Sequence, residues 1–178
     1  MIKDIVIDTN ILVYLDNEKY QFHDNCIGCT SSLFKSPVLI CFDEGFEYDS
    51  GQNKSYIWHE YQRRLPIGSR GHTLILSLLS KERISFISKK IPQNVRQIID
   101  QSGIKDNDKH FVKVAYNSES NILVSDEHED FTTTGKKKKG KKGRRDSFKA
   151  EIGVLILHSW EVTNQMFEDE KIEEQQNK

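Results

Sequence analysis

Cysteine is scarce in this chain of 178 residues. Cys26, Cys29 and Cys41 are an odd number, and too few to staple a small secreted fold. Cys26-Ile27-Gly28-Cys29 has the spacing of a redox or zinc pair, with His23 before it and Cys41 after it. The second half of such a zinc site would need its own paired spacing, which is missing. Reduced thiols without chemistry of their own are therefore expected. Long apolar runs are missing too: none reaches the ~20 residues that cross a bilayer. Asp4 and Asp8 interrupt the N-terminus where a signal peptide would be basic and then continuously apolar. These absences point to a cytoplasmic protein with no membrane partner. Internal repeats are absent as well. Proline occurs only at Pro37, Pro66 and Pro92, and each marks the edge of an element.

What is present is a polar chain of single-domain length, with 36% hydrophobic and 30% charged residues, long enough for a core of ordinary size. Its opening stretch, Ile2 to Ile7, holds four β-branched apolar residues with Asp4 as the only acid. That composition predicts a short strand buried on both faces, as in the middle of a parallel sheet. Further strands are predicted at Val38–Phe42, Ile84–Ile87, Asn121–Ser125 and Ile152–Leu157. Between them lie helical patterns: Thr9 to about Glu18, Tyr56 to Leu65 after a capping Ser55, His72–Leu79, Pro92 to Gly103, and Lys109–Tyr116. Asp24–Lys35 reads as a helix or an irregular connection, and Gly45–Lys54 as a loop. Strands alternating with helices imply an α/β fold, a mainly parallel central sheet covered on both faces.

In such sheets ligands collect outside the carboxyl ends of the strands. Asp8 ends the first strand and Asp126 ends the fourth. Asp106 and Asp108 open the helix leading into that fourth strand, and Glu60 lies beside the apolar stripe of its own helix. Each acid has an ordinary explanation as a cap, a turn residue or a surface charge. Gathered at one sheet edge, with no Lys or Arg at a matching strand end, they instead call for a hard divalent cation. Such an ion polarises a phosphodiester and activates water for in-line attack.

Asp8-Thr9-Asn10 after an apolar strand resembles the opening motif of PIN-domain nucleases. Glu60-Tyr61 in a helix is similar to the family's second acidic position. Asp108 through Ala115 is similar to its third motif, and Leu123-Val124-Ser125-Asp126 through Asp130-Phe131 to its fourth. Order and spacing match over roughly residues 2–160. The resemblance implies a three-layer α/β/α sandwich over residues 1–162 and a Mg²⁺- or Mn²⁺-dependent endonuclease, usually acting on single-stranded RNA. It implies the quartet Asp8, Glu60, Asp108 and Asp126 as catalytic residues, with Asp8, Asp108 and Asp126 holding metal and Thr9 and Asn10 ordering the first loop. Many relatives are toxins of toxin–antitoxin modules, so a protein inhibitor or antitoxin and a homodimer are the implied protein partners. The alternatives are a structure-selective DNA nuclease and an inactive module that binds nucleic acid or protein. Two departures leave positions open. Glu44 or Glu47 can compete with Glu60, and the longer fourth motif leaves the last ligand among Asp126, Glu127 and Asp130, with Asp106 as a further metal candidate.

The net charge of −1 conceals an asymmetry. Residues 135–150 carry nine Lys/Arg and one acid, leaving 17 basic and 26 acidic residues elsewhere, a net −9. The run Lys136, Lys137, Lys138, Lys139, Lys141, Lys142, Arg144 and Arg145 has no apolar periodicity. A flexible basic insert over 132–148 is expected, drawing a nucleic acid toward the acids. Residues 163–178 are expected to form a polar tail.

Overall fold

A computed structural model describes residues 1–48, 51–131 and 143–176. Its sheet has five strands: β1 (Asp4–Ile7), β2 (Leu39–Asp43), β3 (Ile84–Ile87), β4 (Ile122–Val124) and β5 (Leu155–Leu157). They are ordered β3-β2-β1-β4-β5, and every pair is parallel. The helices are α1 (Thr9–Val13), α2 (His23–Lys35), α3 (Tyr56–Arg64), α4 (Arg70–Ser80), α5 (Gln93–Gln101), α6 (Asp106–Asn117), α7 (Arg144–Ile152) and α8 (Ser159–Gln176). α2 and α8 pack together as one layer, and α6, with α3 and α5 beside it, lies along β2, β1 and β4. This is the α/β sandwich that the alternating pattern implied.

β1 is the centre of the sheet because its residues suit neither water nor a one-sided position. Ile5, Val6 and Ile7 are all completely buried, so both faces are covered. Asp4 fits the same strand because its carboxylate accepts the backbone N–H groups of Glu119 (3.0 Å) and Ser120 (2.8 Å), satisfying a turn that would otherwise be stranded. Val6 pairs with Leu123 and Ile7 with Val124, and the Asp8 N–H extends the ladder to the Val124 carbonyl at 2.9 Å. From β1 the chain builds outward through β2 and β3, then returns to place β4 on the other side of β1. The β1–β4 seam is therefore the point where strand order reverses, and a crevice opens there at the carboxyl ends.

Several boundaries differ from the sequence reading. α6 begins at Asp106, so Asp106 and Asp108 sit inside its first turn, where acids complement the positive end of the helix dipole. Helix α7 lies where a flexible insert and then a strand were expected. It buries little beyond Arg145 and Phe148, so no apolar period announces it. Gly153 ends it at φ 74°, a left-handed position that favours glycine. α8 runs unbroken through residue 163 into the polar tail. No helix among the described residues is long and apolar enough to cross a membrane.

Gly71 shows how closely α4 sits on α1. A Cβ there would lie 2.7 Å from the Leu12 carbonyl oxygen, which is backbone and cannot swing away. Gly71→Ala should lower stability by ~1–3 kcal/mol, through forced separation of the two helices. Urea unfolding monitored by circular dichroism checks this; an unchanged midpoint would mean that α4 shifts freely.

Candidate active site

A pocket of about 280 Å³ opens at the carboxyl end of the β1–β4 seam. Its wall contains four acids, Asp8, Glu60, Asp108 and Glu127, and two cations, Arg64 and Lys105. Each acid comes from a different element, and each has its own positioning device.

Asp8 follows β1 and caps α1: its carboxylate accepts the Asn10 N–H at 3.2 Å. The Ser125 hydroxyl, from the residue after β4, donates to it at 2.7 Å. Capping and pocket-lining are thus the work of one side chain, and Thr9 and Asn10 line the pocket beside it. Asp8 is 4% exposed. Burial pushes its carboxyl up, only partly opposed by Ser125 and Asn10.

Glu60 is placed by α3, whose start is fixed by Asp43 at the end of β2. The Asp43 carboxylate accepts the Ser55 hydroxyl (2.7 Å) and the N–H groups of Tyr56 (2.8 Å) and Ile57 (2.9 Å), and pairs with Lys89 (3.0 Å). Tyr61, on the same helix, donates its buried hydroxyl to the Ile7 carbonyl at 2.6 Å. Glu60 is nearly buried and pairs with Arg63. Of the three candidates for the second acidic position, only Glu60 lines the pocket. Glu44 is exposed beside Ser88, and Glu47 is exposed.

Asp108 enters from the first turn of α6, which Tyr56 ties to α3 through a 2.6 Å hydrogen bond to Asn107 and a stack on His110. Burial and the nearby carboxylates of Asp130, Asp8 and Glu127 push the Asp108 carboxyl up to about 8. Asp106 points elsewhere: it is largely exposed and pairs with Lys109 at 2.8 Å.

The residues after β4 divide differently from the sequence reading. Asp126 is not brought to the pocket. Its carboxylate accepts the Ser159 N–H (3.0 Å) and hydroxyl (2.6 Å), the Cys26 thiol (3.4 Å) and the His158 ring at 3.2 Å. Burial alone would push that carboxyl up, but His158, Ser159 and Cys26 together outweigh it and hold it below the ordinary range. Glu127 turns into the pocket instead, its oxygens accepting the N–H groups of Glu129 (3.0 Å) and Asp130 (2.6 Å). Asp130 is buried behind it, between Lys105 (3.2 Å) and Arg144 (3.5 Å).

Cations therefore do stand among the acids, contributed by helix ends rather than strand ends. Arg145 is one that sequence reasoning grouped with a mobile arm. It is 6% exposed and donates to the carbonyls of Ser125 (2.7 Å), Phe131 (2.9 Å) and Ile156 (2.9 Å), riveting the β4 exit to β5. Arg144 donates to the Glu129 and Asp130 carbonyls. Lys136, Lys137, Lys138, Lys139, Lys141 and Lys142 lie outside the described residues. The three cysteines are free and buried, and burial pushes the Cys29 thiol up to about 12 and the other two higher still.

Oxygen donors of this kind suit Mg²⁺ or Mn²⁺. Among the described residues no three His, Cys, Asp or Glu side chains converge as a ready-made ligand set. That does not count against Mg²⁺, which keeps several waters and takes one or two carboxylates directly. Two features of the pocket bear on what it could hold. Asp8 and Asp108 are both held toward the neutral form, and the buried Thr9 hydroxyl in the wall has no hydrogen-bond partner.

No family model matches the chain, and no curated protein resembles it in sequence. Among solved structures it is similar to VapBC2 from Rickettsia felis, crystallised bound to a DNA fragment from its promoter. The TM-score is 0.43 at 16% identity, over 87% of this chain and 98% of that one. Likeness this small decides neither fold nor activity.

The two kinds of aspartate should separate in thermal unfolding of the metal-free protein. Asp108 has a raised folded-state pKa, so its contribution is favourable below about 4 and is lost as pH rises toward about 8. Asp108→Asn should raise Tm by a few degrees at pH 8 in EDTA and leave it almost unchanged at pH 4. Asp126 has a lowered pKa and holds α8, so Asp126→Asn should cost ~2 kcal/mol at neutral pH. Equal and opposite results would mean that the roles of the two residues are exchanged.

Proposed function

We propose that this chain is a PIN-like endonuclease that uses Mg²⁺ or Mn²⁺ to hydrolyse single-stranded RNA. One observation carries the reading: carboxylates from four separate elements wall a single pocket at the strand-order reversal. Like charges gathered and partly desolvated are costly unless a cation compensates them. Asp8 and Asp108 would hold the ion, with Glu127 and Glu60 reaching it directly or through its waters. When bound, such an ion polarises a phosphoryl oxygen and makes its water acidic enough to attack at neutral pH.

The chain's own groups supply the rest. Lys105 and Arg64 present positive charge on the same wall, suited to the non-bridging oxygens of a phosphodiester. Glu60 and Glu127 can accept the proton of an attacking water. Ser125 fixes the Asp8 carboxylate, and Arg145 fixes the carbonyls around Ser125, so the acid is held by a rigid frame.

A second reading has an observation of its own. Lys105 and Arg63 already pair with Asp130 and Glu60, which lowers the need for a metal. That balance would suit an inactive module that binds nucleic acid.

Cleavage of an end-labelled single-stranded RNA should require Mn²⁺ or Mg²⁺ and stop in EDTA. Asp8→Asn and Glu127→Gln should each lower the rate by at least 100-fold, as loss of a positioned acid or ligand does. Asp126→Asn, assayed well below its unfolding temperature, should retain activity within a few-fold. Cleavage undiminished by chelator would refute the metal mechanism, and no cleavage under any metal would favour the binding module.

A further inference from the structure

Six rings form a continuous row that starts inside the acidic pocket and leaves it. Tyr14 lines the pocket and stacks on Tyr20, with centroids 3.5 Å apart. Tyr20 meets Phe22 edge-on at 5.6 Å, Phe22 meets His128 at 5.6 Å, and His128 meets His158 at 5.3 Å. His158 lies nearly parallel to Trp160, 13° apart in plane and 6.5 Å between centroids. The row draws on three connections at the carboxyl ends of β1, β4 and β5, so the fold rather than one local segment assembles it.

Core packing accounts for the inner end of the row, where Tyr14 and Tyr20 pack against the core, but not for Phe22 or the exposed Trp160. The aromatic core residues Phe42, Tyr61, Phe131 and Phe148 are essentially inaccessible. None of the six rings is, and Trp160 at the far end is 47% exposed. Two of the rings are pinned. The His158 ring is held by Asp126, and the Tyr20 hydroxyl donates to the Asp126 carbonyl at 3.5 Å. Asp126, left without a place in the pocket, thus sets the middle of the row.

We propose that this row is a base-stacking track for single-stranded nucleic acid, receiving the nucleotides on one side of the phosphate that sits at the acids. The inference rests on the nuclease reading for its direction, since Tyr14 is shared by pocket and row. Aromatic faces accept any base, whereas the paired bases of a duplex offer no free face to them. The track therefore gives a preference for unpaired strands with little sequence selectivity. Phosphates of a strand so placed would pass Arg144 beside Asp130 and Lys105 at the pocket wall.

The test uses the full chain with an oligouridylate long enough to span pocket and row, in Ca²⁺ to neutralise the acids. Trp160→Leu keeps apolar bulk and removes the ring. Its affinity for the oligouridylate, measured by fluorescence anisotropy, should fall about 5- to 150-fold, the range expected for one lost base stack. Its cleavage of the dinucleotide UpU in Mn²⁺, too short to reach Trp160 at the far end of the row, should match the parent. The chain has two tryptophans, so Trp58→Phe leaves Trp160 as the sole reporter. Its emission should be quenched as the oligouridylate binds. Unchanged affinity in both Trp160→Leu and Phe22→Leu, or saturating RNA with no quenching, would overturn the track. If no RNA is cleaved in any metal, the nuclease reading fails, while quenching and the affinity loss still establish the track.

Discussion

Carboxylate crowding at the β1–β4 seam is the constraint around which the rest of the structure is arranged. Parallel pairing of these strands brings Asp8 within 2.7 Å of Ser125 and leaves Asp108 and Glu127 facing the same space. Burial and the carboxylates of Asp130, Asp8 and Glu127 drive the Asp108 carboxyl up to about 8, a state that stability alone gives little reason to keep. Arg63, Arg64 and Lys105 relieve part of this charge, and the helix starts nearby hold the acids in place. Asp43 fixes the start of α3, Tyr61 locks that helix to the end of β1, and Tyr56 ties it to α6.

Two neighbouring acids after β4 show how environment separates roles. Asp126 is surrounded by donors from α2 and the start of α8, so its charge is stabilised and its work is structural. Glu127 satisfies two backbone N–H groups of its own turn and still faces the pocket. Arg145 plays the matching part from the other side. Its guanidinium collects carbonyls from β4's exit, Phe131 and β5, tying the end of β4 to β5.

The frame of the fold was legible because it depends on local pattern. A buried β-branched run marked β1, the apolar run after Pro37 marked β2, and Ser55 marked α3. Glu60 was legible against Glu44 and Glu47 for the same reason: it rides a helix beside apolar residues. What escaped was set by distant partners. Nothing near Asp126 in the sequence announces Ser159 or Cys26, and nothing in a lysine–arginine run announces that Arg145 is buried. α7 escaped because its weak apolar pattern is overridden by the Arg145 and Phe148 anchors and the Gly153 stop. The aromatic row joins residues far apart in the chain, so no window of sequence contains it.

The proposed function depends on the crowded pocket taking up a divalent cation. Its most direct measurement is a Mn²⁺ titration of the metal-free protein, with free Mn²⁺ followed by electron paramagnetic resonance. Saturable uptake of one or two ions in the parent, lost in Asp8→Asn and in Asp108→Asn but kept in Asp126→Asn, is the result expected. No saturable uptake by the parent, or uptake unaffected by Asp8→Asn and Asp108→Asn, would contradict it.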